Sequence, residues 1–207
     1  MVSIPLVSTN RINAPDTAEQ ILSSHASDLV SMARPLLADP QFLLKAMNQL
    51  PHAINTCIAC NQACLDHAFV GKTASCLVNP KACHETELVT TLLPETERLT
   101  IGVIGAGPAG CAFAMAAAEM GHSVTLYDQG DKIGGQFHMA KRVPGKEEFH
   151  ETLRYFEYQL EAVGVKVQLN THISHDAMRE KGEEVDKWIV ATGVTPRDPK
   201  IPGGGPP

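Results

Sequence analysis

Cys57, Cys60, Cys64 and Cys76 fall in a C-x2-C-x3-C-x11-C pattern. A chain that must bring those four sulfurs together has few ways to fold around them. Three thiols within one eight-residue stretch force an irregular loop, and the fourth returns from further along. Soft, anionic thiolates in this number suit a cuboidal iron–sulfur cluster, whose four iron corners each take one. A structural zinc site is the competing reading. It more often shows two separate C-x2-C knuckles, or one knuckle and a histidine pair, around a single tetrahedral ion. Here the second half has no knuckle, because Cys76 and Cys83 are seven positions apart and His84 follows Cys83 directly. A disulfide framework is a third reading, disfavoured by a start (Met-Val-Ser-Ile-Pro-Leu) without the basic and apolar regions of a secretion signal. The expectation is a [4Fe–4S] cluster.

Hydrophobic residues make up 43% and charged residues 19% of 207, which is enough apolar material for a packed core in one or two domains. The net charge of −6 comes without a long block of either sign, which argues against a nucleic-acid surface. The longest apolar run, Cys111 to Ala118, is far shorter than the roughly 20 residues a membrane-spanning helix needs. Six cysteines without an export signal point to a reducing, cytoplasmic setting.

From the N-terminus, Ile4–Ser8 reads as a short strand. Pro15, Asp16 and Glu19 suit the start of a helix with Ala18, Ile21 and Leu22 on its apolar face. Asp28–Ala33 reads as a second strand, and Asp39-Pro40 as an N-cap and first-turn proline opening a helix to about Gln49. Arg11 and Arg34 then lie just past the two strands, at the edge of a parallel sheet where barrel loops often bind phosphate. Ordinary surface arginines are the plainer alternative. Two βα units cannot close a barrel, which takes about eight strands, so the chain is expected to enter a larger fold part-way. Residues 1–50 are read as its last two units, 51–84 as the cluster segment and 85–99 as a linker.

Residues 100–207 read as a partial Rossmann-like domain. Thr100–Ile104 is a buried strand running into Gly105-Ala-Gly-Pro-Ala-Gly110, followed by an Ala-rich helix from Pro108 to Met120 with Gly121 after it. A second strand, Ser123–Tyr127, ends at Asp128. In this context the glycines admit a pyrophosphate at the helix N-terminus, and the carboxylate suits a ribose hydroxyl. The pair Gly134-Gly135, with Gln136 after it, points to FAD. Phe149, Leu153, Phe156, Leu160 and Val163 form a helical core stripe. Gly164 ends it, Val165–Leu169 is another strand, and Lys187–Val190 runs into Ala191-Thr192-Gly193. Ile-Pro-Gly-Gly-Gly-Pro-Pro closes the chain without fold content. No second G-x-G-x-x-G exists, so no NADPH domain is expected.

In order, Thr9-Asn-Arg-Ile12, Val30-Ser-Met-Ala-Arg-Pro35, Cys57–His84, Gly105–Gly110, Gly134-Gly-Gln-Phe137 and Pro144-Gly-Lys-Glu-Glu-Phe149 resemble the NADPH-dependent 2,4-dienoyl-CoA reductases. These are iron–sulfur flavoproteins related to old-yellow-enzyme-like enoate reductases and trimethylamine dehydrogenase. The resemblance covers nearly the whole chain to about Pro199, and the x3 gap between Cys60 and Cys64 fits it best. It implies an α/β fold made of the end of a (β/α)8 barrel, a four-cysteine Fe–S segment and a partial FAD domain. It further implies FMN phosphate contacts at Arg11, Ala33 and Arg34, and cluster ligation by Cys57, Cys60, Cys64 and Cys76. Gly105, Gly107, Gly110, Asp128, Gly135 and Gln136 would line FAD. Cys83 is expected as a buried thiol and Cys111 as core, with His52, His67 and His84 structural. For an intact enzyme the resemblance implies that NADPH supplies hydride and an acyl-CoA thioester accepts it, in fatty-acid breakdown.

The rest of the barrel, including its tyrosine–histidine acid pair, and the NADPH domain have no counterpart in the sequence. The chain is therefore expected to be a fragment without complete catalytic machinery. A stand-alone Fe–S/flavin electron carrier and a non-functional remnant are the rival readings.

Overall fold

The computed structural model describes residues 3–195 and Arg197. The closing Ile-Pro-Gly-Gly-Gly-Pro-Pro lies outside them. Strands β1 (Val7–Thr9) and β2 (Leu29–Ser31) pair in parallel, Val7 opposite Leu29. Parallel strands need a crossover, and helix α1 (Pro15–Ser23) supplies it. Ala14 is extended and Pro15 opens the helix, where its missing amide costs nothing. The sheet is small and its apolar side chains stay open: Leu6, Val7 and Leu29 are exposed, as two barrel units alone would leave them.

The helix expected from Asp39 to Gln49 is shorter and has a neighbour. Arg34–Ala38 forms α2, and α3 spans only Phe42–Met47. Asp39 does act at the junction: its Oδ1 accepts the Gln41 amide at 2.9 Å, while Oδ2 accepts the Lys45 ammonium and the Asn55 amide at 2.7 and 2.8 Å. A carboxylate only 3% exposed is tolerable because every side of it is bonded.

The second sheet runs β5-β4-β3-β6, all parallel, from β3 (Thr100–Ile104), β4 (Ser123–Tyr127), β5 (Lys166–Gln168) and β6 (Lys187–Val190). Beyond the short helix α4 (Leu65–Ala68), helix α5 (Pro108–Glu119) and helix α7 (Phe149–Ala162) pack on this sheet; the four-residue α6 (Phe137–Ala140) falls between them in the chain. Val103, Cys111, Ala114, Leu126 and Leu160 are almost wholly buried between these elements. Gly121 and Gly164 take left-handed conformations after α5 and α7, as their positions in the sequence required. The stretch read as a linker is anchored: the Leu93 amide donates to Met120 O at 3.0 Å, and Glu95–Glu97 makes a 3-10 turn. Among the described residues no helix is long and apolar enough to cross a membrane.

Burial pushes the Cys111 thiol up to about 12, with the charge of Asp128 adding to it, and burial likewise raises Tyr155 to about 12. Both pKa values are raised on folding. The stability these neutral groups contribute is complete below the unfolded pKa, from about 9 for the thiol and 10 for the phenol. It is lost as pH rises to about 12. Urea unfolding should therefore show stability falling above pH 9 by about 1.4 kcal/mol per pH unit for each group. Cys111→Ala should make that fall shallower just above pH 9, by about 1.4 kcal/mol per pH unit. An unchanged alkaline limb in the variant would contradict this.

Candidate functional site

Three loops leave the C-terminal ends of parallel strands and meet above β3. Strand β4 lies on one side of β3 and β6 on the other, so chain order reverses there, and such a switch point is where open parallel sheets bind ligands. Gly105 has φ 104, and a Cβ on it would lie 2.7 Å from the Ala191 carbonyl carbon. Gly107 is different. Its backbone is ordinary (φ −71, ψ 178), and a Cβ there would meet nothing within 4 Å. It faces open space beside the first, unpaired amides of the twelve-residue helix α5.

The other two loops close over this one. The Gly134 amide donates to Ala106 O at 2.6 Å. Gly135, at φ 50, passes so near that a Cβ would lie 3.2 Å from Gly107 Cα, and Gln136 Nε2 donates to Val194 O at 2.6 Å. Asp128 is more than a ribose candidate. Its Oδ2 accepts the Ala106 amide at 2.6 Å and its Oδ1 accepts Gly130 at 2.7 Å, so it ties the glycine loop to β4 with acceptor capacity to spare. The six positions expected around a dinucleotide thus sit together.

Arg11, Ala33 and Arg34 line a cavity of about 150 Å³ with Thr9, Asn10 and Ser31, at the C-terminal ends of β1 and β2. Arg34 donates to Asn10 Oδ1 at 3.0 Å and to Asn61 Oδ1, within the cysteine loop, at 2.7 Å. Arg11 pairs with Glu148, just ahead of α7. That hydrogen bond, and then the carboxylate's charge, raises the arginine's pKa.

The cysteine loop is irregular, with the short helix α4 (Leu65–Ala68) its one regular piece. Ala59 and Asn61 take φ 52 and φ 61, a left-handed conformation that costs a non-glycine residue about 1–3 kcal/mol. The Ala59 amide favours the Cys57 thiolate and the Val78 and Asn79 amides favour that of Cys76, while the Asn79 amide donates to Cys76 O at 3.2 Å. Burial raises both thiols' pKa values, and charge on neighbouring cysteines adds to it: Cys60 and Cys64 act on Cys57, and Cys57 and Cys60 on Cys76. Cys57 is therefore within electrostatic reach of Cys60, Cys64 and Cys76. Among the described residues no three His, Cys, Asp or Glu side chains converge as ligands of a single ion.

Two cysteines stand apart. Cys111 is fully buried, its thiol donating to Ala106 O at 3.3 Å. Cys83, expected buried, is exposed: it sits in a left-handed turn (φ 62) held by Glu85. The histidines have structural partners, His67 with Thr73 O, His84 with Glu87 and His52 edge-on to Tyr158. Residues that sequence reasoning passed over grip the chain entering Cys57. Asn13 donates to Cys57 O at 3.0 Å, and Arg154 binds the 52–56 segment from α7. No local signal marks contacts between residues so far apart in sequence.

Residues 99–206 match the family described as pyridine nucleotide-disulphide oxidoreductase, and residues 1–53 match the NADH:flavin oxidoreductase / NADH oxidase family. The chain is 42% identical over 203 residues to a "Metal reductase" of Desulforamulus reducens, covering 97% of this chain and 30% of that protein. It is 34% identical over 202 residues to a "Bilirubin reductase" of Mediterraneibacter gnavus, with 98% and 31% covered. Among solved structures, a 2-naphthoyl-CoA reductase complex superposes with TM-score 0.88 at 35% identity, over 97% of this chain and 30% of that one. The chain thus spans under a third of the length of these relatives. The two family segments coincide with the two parallel sheets, as a barrel end followed by a Rossmann-like part. With the pyridine nucleotide-disulphide oxidoreductase match covering its second half and the flavin-oxidoreductase match its first 53 residues, the chain belongs to the old-yellow-enzyme-like flavoprotein oxidoreductases.

Proposed function

We propose that this chain is the electron-transfer junction of an NADPH-dependent, 2,4-dienoyl-CoA reductase-like enzyme, acting on conjugated enoyl thioesters in a reducing, cytoplasmic compartment. The observation that carries the reading is the position of the cysteine loop. Arg34 binds its Asn61 from the phosphate-sized cavity, while Arg154 holds the chain entering Cys57 from the nucleotide side. The donor chemistry fits the groups. Arg34, Ala33 and Arg11 would hold the phosphate end of FMN, and Arg34 still has free guanidinium donors. Gly105, Gly107 and Gly110 would seat the FAD pyrophosphate on the α5 amides, Asp128 would take a ribose hydroxyl, and Gly135 and Gln136 would flank it. Cys57, Cys60, Cys64 and Cys76 would ligate a [4Fe–4S] cluster, with the Ala59, Val78 and Asn79 amides placed to favour thiolates at Cys57 and Cys76.

When bound, flavins carry hydride chemistry and the cluster passes single electrons, which lets NADPH oxidation and thioester reduction occur in separate places. The chain's own residues bind and space these groups. A "Cinnamate reductase" of Clostridium sporogenes, 29% identical over 208 residues, and the 2-naphthoyl-CoA reductase support a conjugated, carbonyl-activated substrate.

Anaerobically purified chain should contain iron and labile sulfide in equal amounts and be brown. Cys57→Ser should remove most of both, whereas Cys83→Ser, altering an exposed thiol outside the ligand set, should leave them. Stoichiometric zinc without sulfide would contradict the reading.

A further inference from the structure

Arg154 lies on α7 of the nucleotide part, about a hundred residues from the chain it binds. Its Nη1 donates to His52 O, and its Nη2 to Ile54 O at 2.7 Å and Thr56 Oγ1 at 3.2 Å, while Nε is steered by Glu151 at 2.7 Å. The guanidinium therefore fills the acceptors of the extended segment that delivers Cys57. Within it, Ile54, Asn55, Thr56 and Cys57 are all buried. A buried segment without strand partners must satisfy its carbonyls some other way, and one planar, forked cation meets two carbonyls and a hydroxyl at once. The same segment is held from the barrel side by Asp39 on the Asn55 amide and by Asn13 on Cys57 O. Edge-on packing of His52 on Tyr158 of α7 adds a second contact from the nucleotide side, at 4.8 Å between ring centres.

We propose that Arg154 is a positioning residue for the cysteine loop: it orders the approach to Cys57 and fixes that thiol against the nucleotide part. Its functional meaning rests on the cluster-and-flavin reading above, since it sets where the first cluster ligand stands relative to the dinucleotide cradle. The ordering itself is testable in the metal-free chain, separately from the cluster. Lysine cannot replace it, because one ammonium on a flexible stem cannot span three acceptors in fixed geometry.

The test is peptide-resolved alkylation of the metal-free chain by iodoacetamide, comparing wild type with Arg154→Lys and Arg154→Ala. Two other thiols serve as internal references, buried Cys111 in the nucleotide core and exposed Cys83. Cys57 should label about ten-fold faster in both variants, with Cys111 and Cys83 unchanged. Added methylguanidinium should slow Cys57 again in Arg154→Ala, where the side chain leaves room for it. Unchanged Cys57 labelling in Arg154→Lys would overturn the proposal. So would a matching rise at Cys111, because the arginine would then support the nucleotide core rather than the loop. In cluster-loaded protein, both variants should also alter the electron paramagnetic resonance signature of the reduced centre. Iron and sulfide analysis of the wild type separately tests the cluster reading, so a failure there is distinguishable from a failure of the positioning role.

Discussion

Gly110→Ala should unfold the nucleotide part under conditions where the wild type is folded. A Cβ at Gly110 would fall on the Gly105 carbonyl oxygen and 3.0 Å from its carbon. Both atoms are backbone, so no side chain can swing away; α5 must lift off β3 instead. That separation opens the buried layer of Val103, Cys111 and Ala114, where overpacking costs about 3 kcal/mol or more. Trp188 is the one tryptophan of the chain and sits on β6 beside β3, so its fluorescence reports this sheet. The urea midpoint read from Trp188 should fall by more than 1 M, taking an m-value of roughly 2 kcal/mol per M. An unchanged midpoint would mean that the helix does not pack this closely.

Gly107→Ala, three residues away, should have the opposite character. Its φ of −71 suits alanine, and nothing lies within 4 Å of the added methyl. Stability should stay level or rise slightly, since alanine has less unfolded-state entropy to lose. The methyl would instead occupy the open space beside the α5 amides, where a pyrophosphate must come close to the backbone. Affinity for FAD and ADP should drop at least 30-fold, or about 2 kcal/mol. The pair of variants thus separates a glycine needed for packing from one needed for a ligand. Asp128→Ala is a less clean test, because that carboxylate also holds the Ala106 and Gly130 amides.

The second half of the fold was legible because its signals are local. A buried strand, three spaced glycines and an Ala-rich helix closed by Gly121 can be read without knowing any partner, and β3, α5 and β4 fall within a residue of their expected bounds. Short elements escaped. Helix α2 has five residues and helix α6 (Phe137–Ala140) four, too few for a 3.6-residue period to show. Helix α8 (His175–Glu180) carries a cap signal, Ser174 Oγ accepting the Ala177 amide at 3.2 Å, but no apolar stripe follows it. Cys83 was misjudged because cysteine is usually buried, while the left-handed turn that exposes it follows from the loop's path.

The candidate site divides in the same way. Gly105, Gly107, Gly110 and Asp128 announce themselves by spacing. The ties that bring the parts together do not: Arg11 to Glu148, Arg34 to Asn61 and Arg154 to the 52–56 segment each join residues remote in sequence. Arg154 was also masked by its setting, as a charged residue beside the core stripe of α7 that reads as solvent-facing until the approach to Cys57 is laid against it.

Calorimetric titration of the anaerobically purified chain with FAD tests whether the loops above β3 form a dinucleotide cradle. One saturable site is expected, displaced by ADP because the adenosine-diphosphate end would make the main contacts, and lost in the folded Gly107→Ala protein. Equal FAD binding by wild type and Gly107→Ala, or no binding by a wild-type chain whose Trp188 fluorescence shows the native sheet, would contradict it.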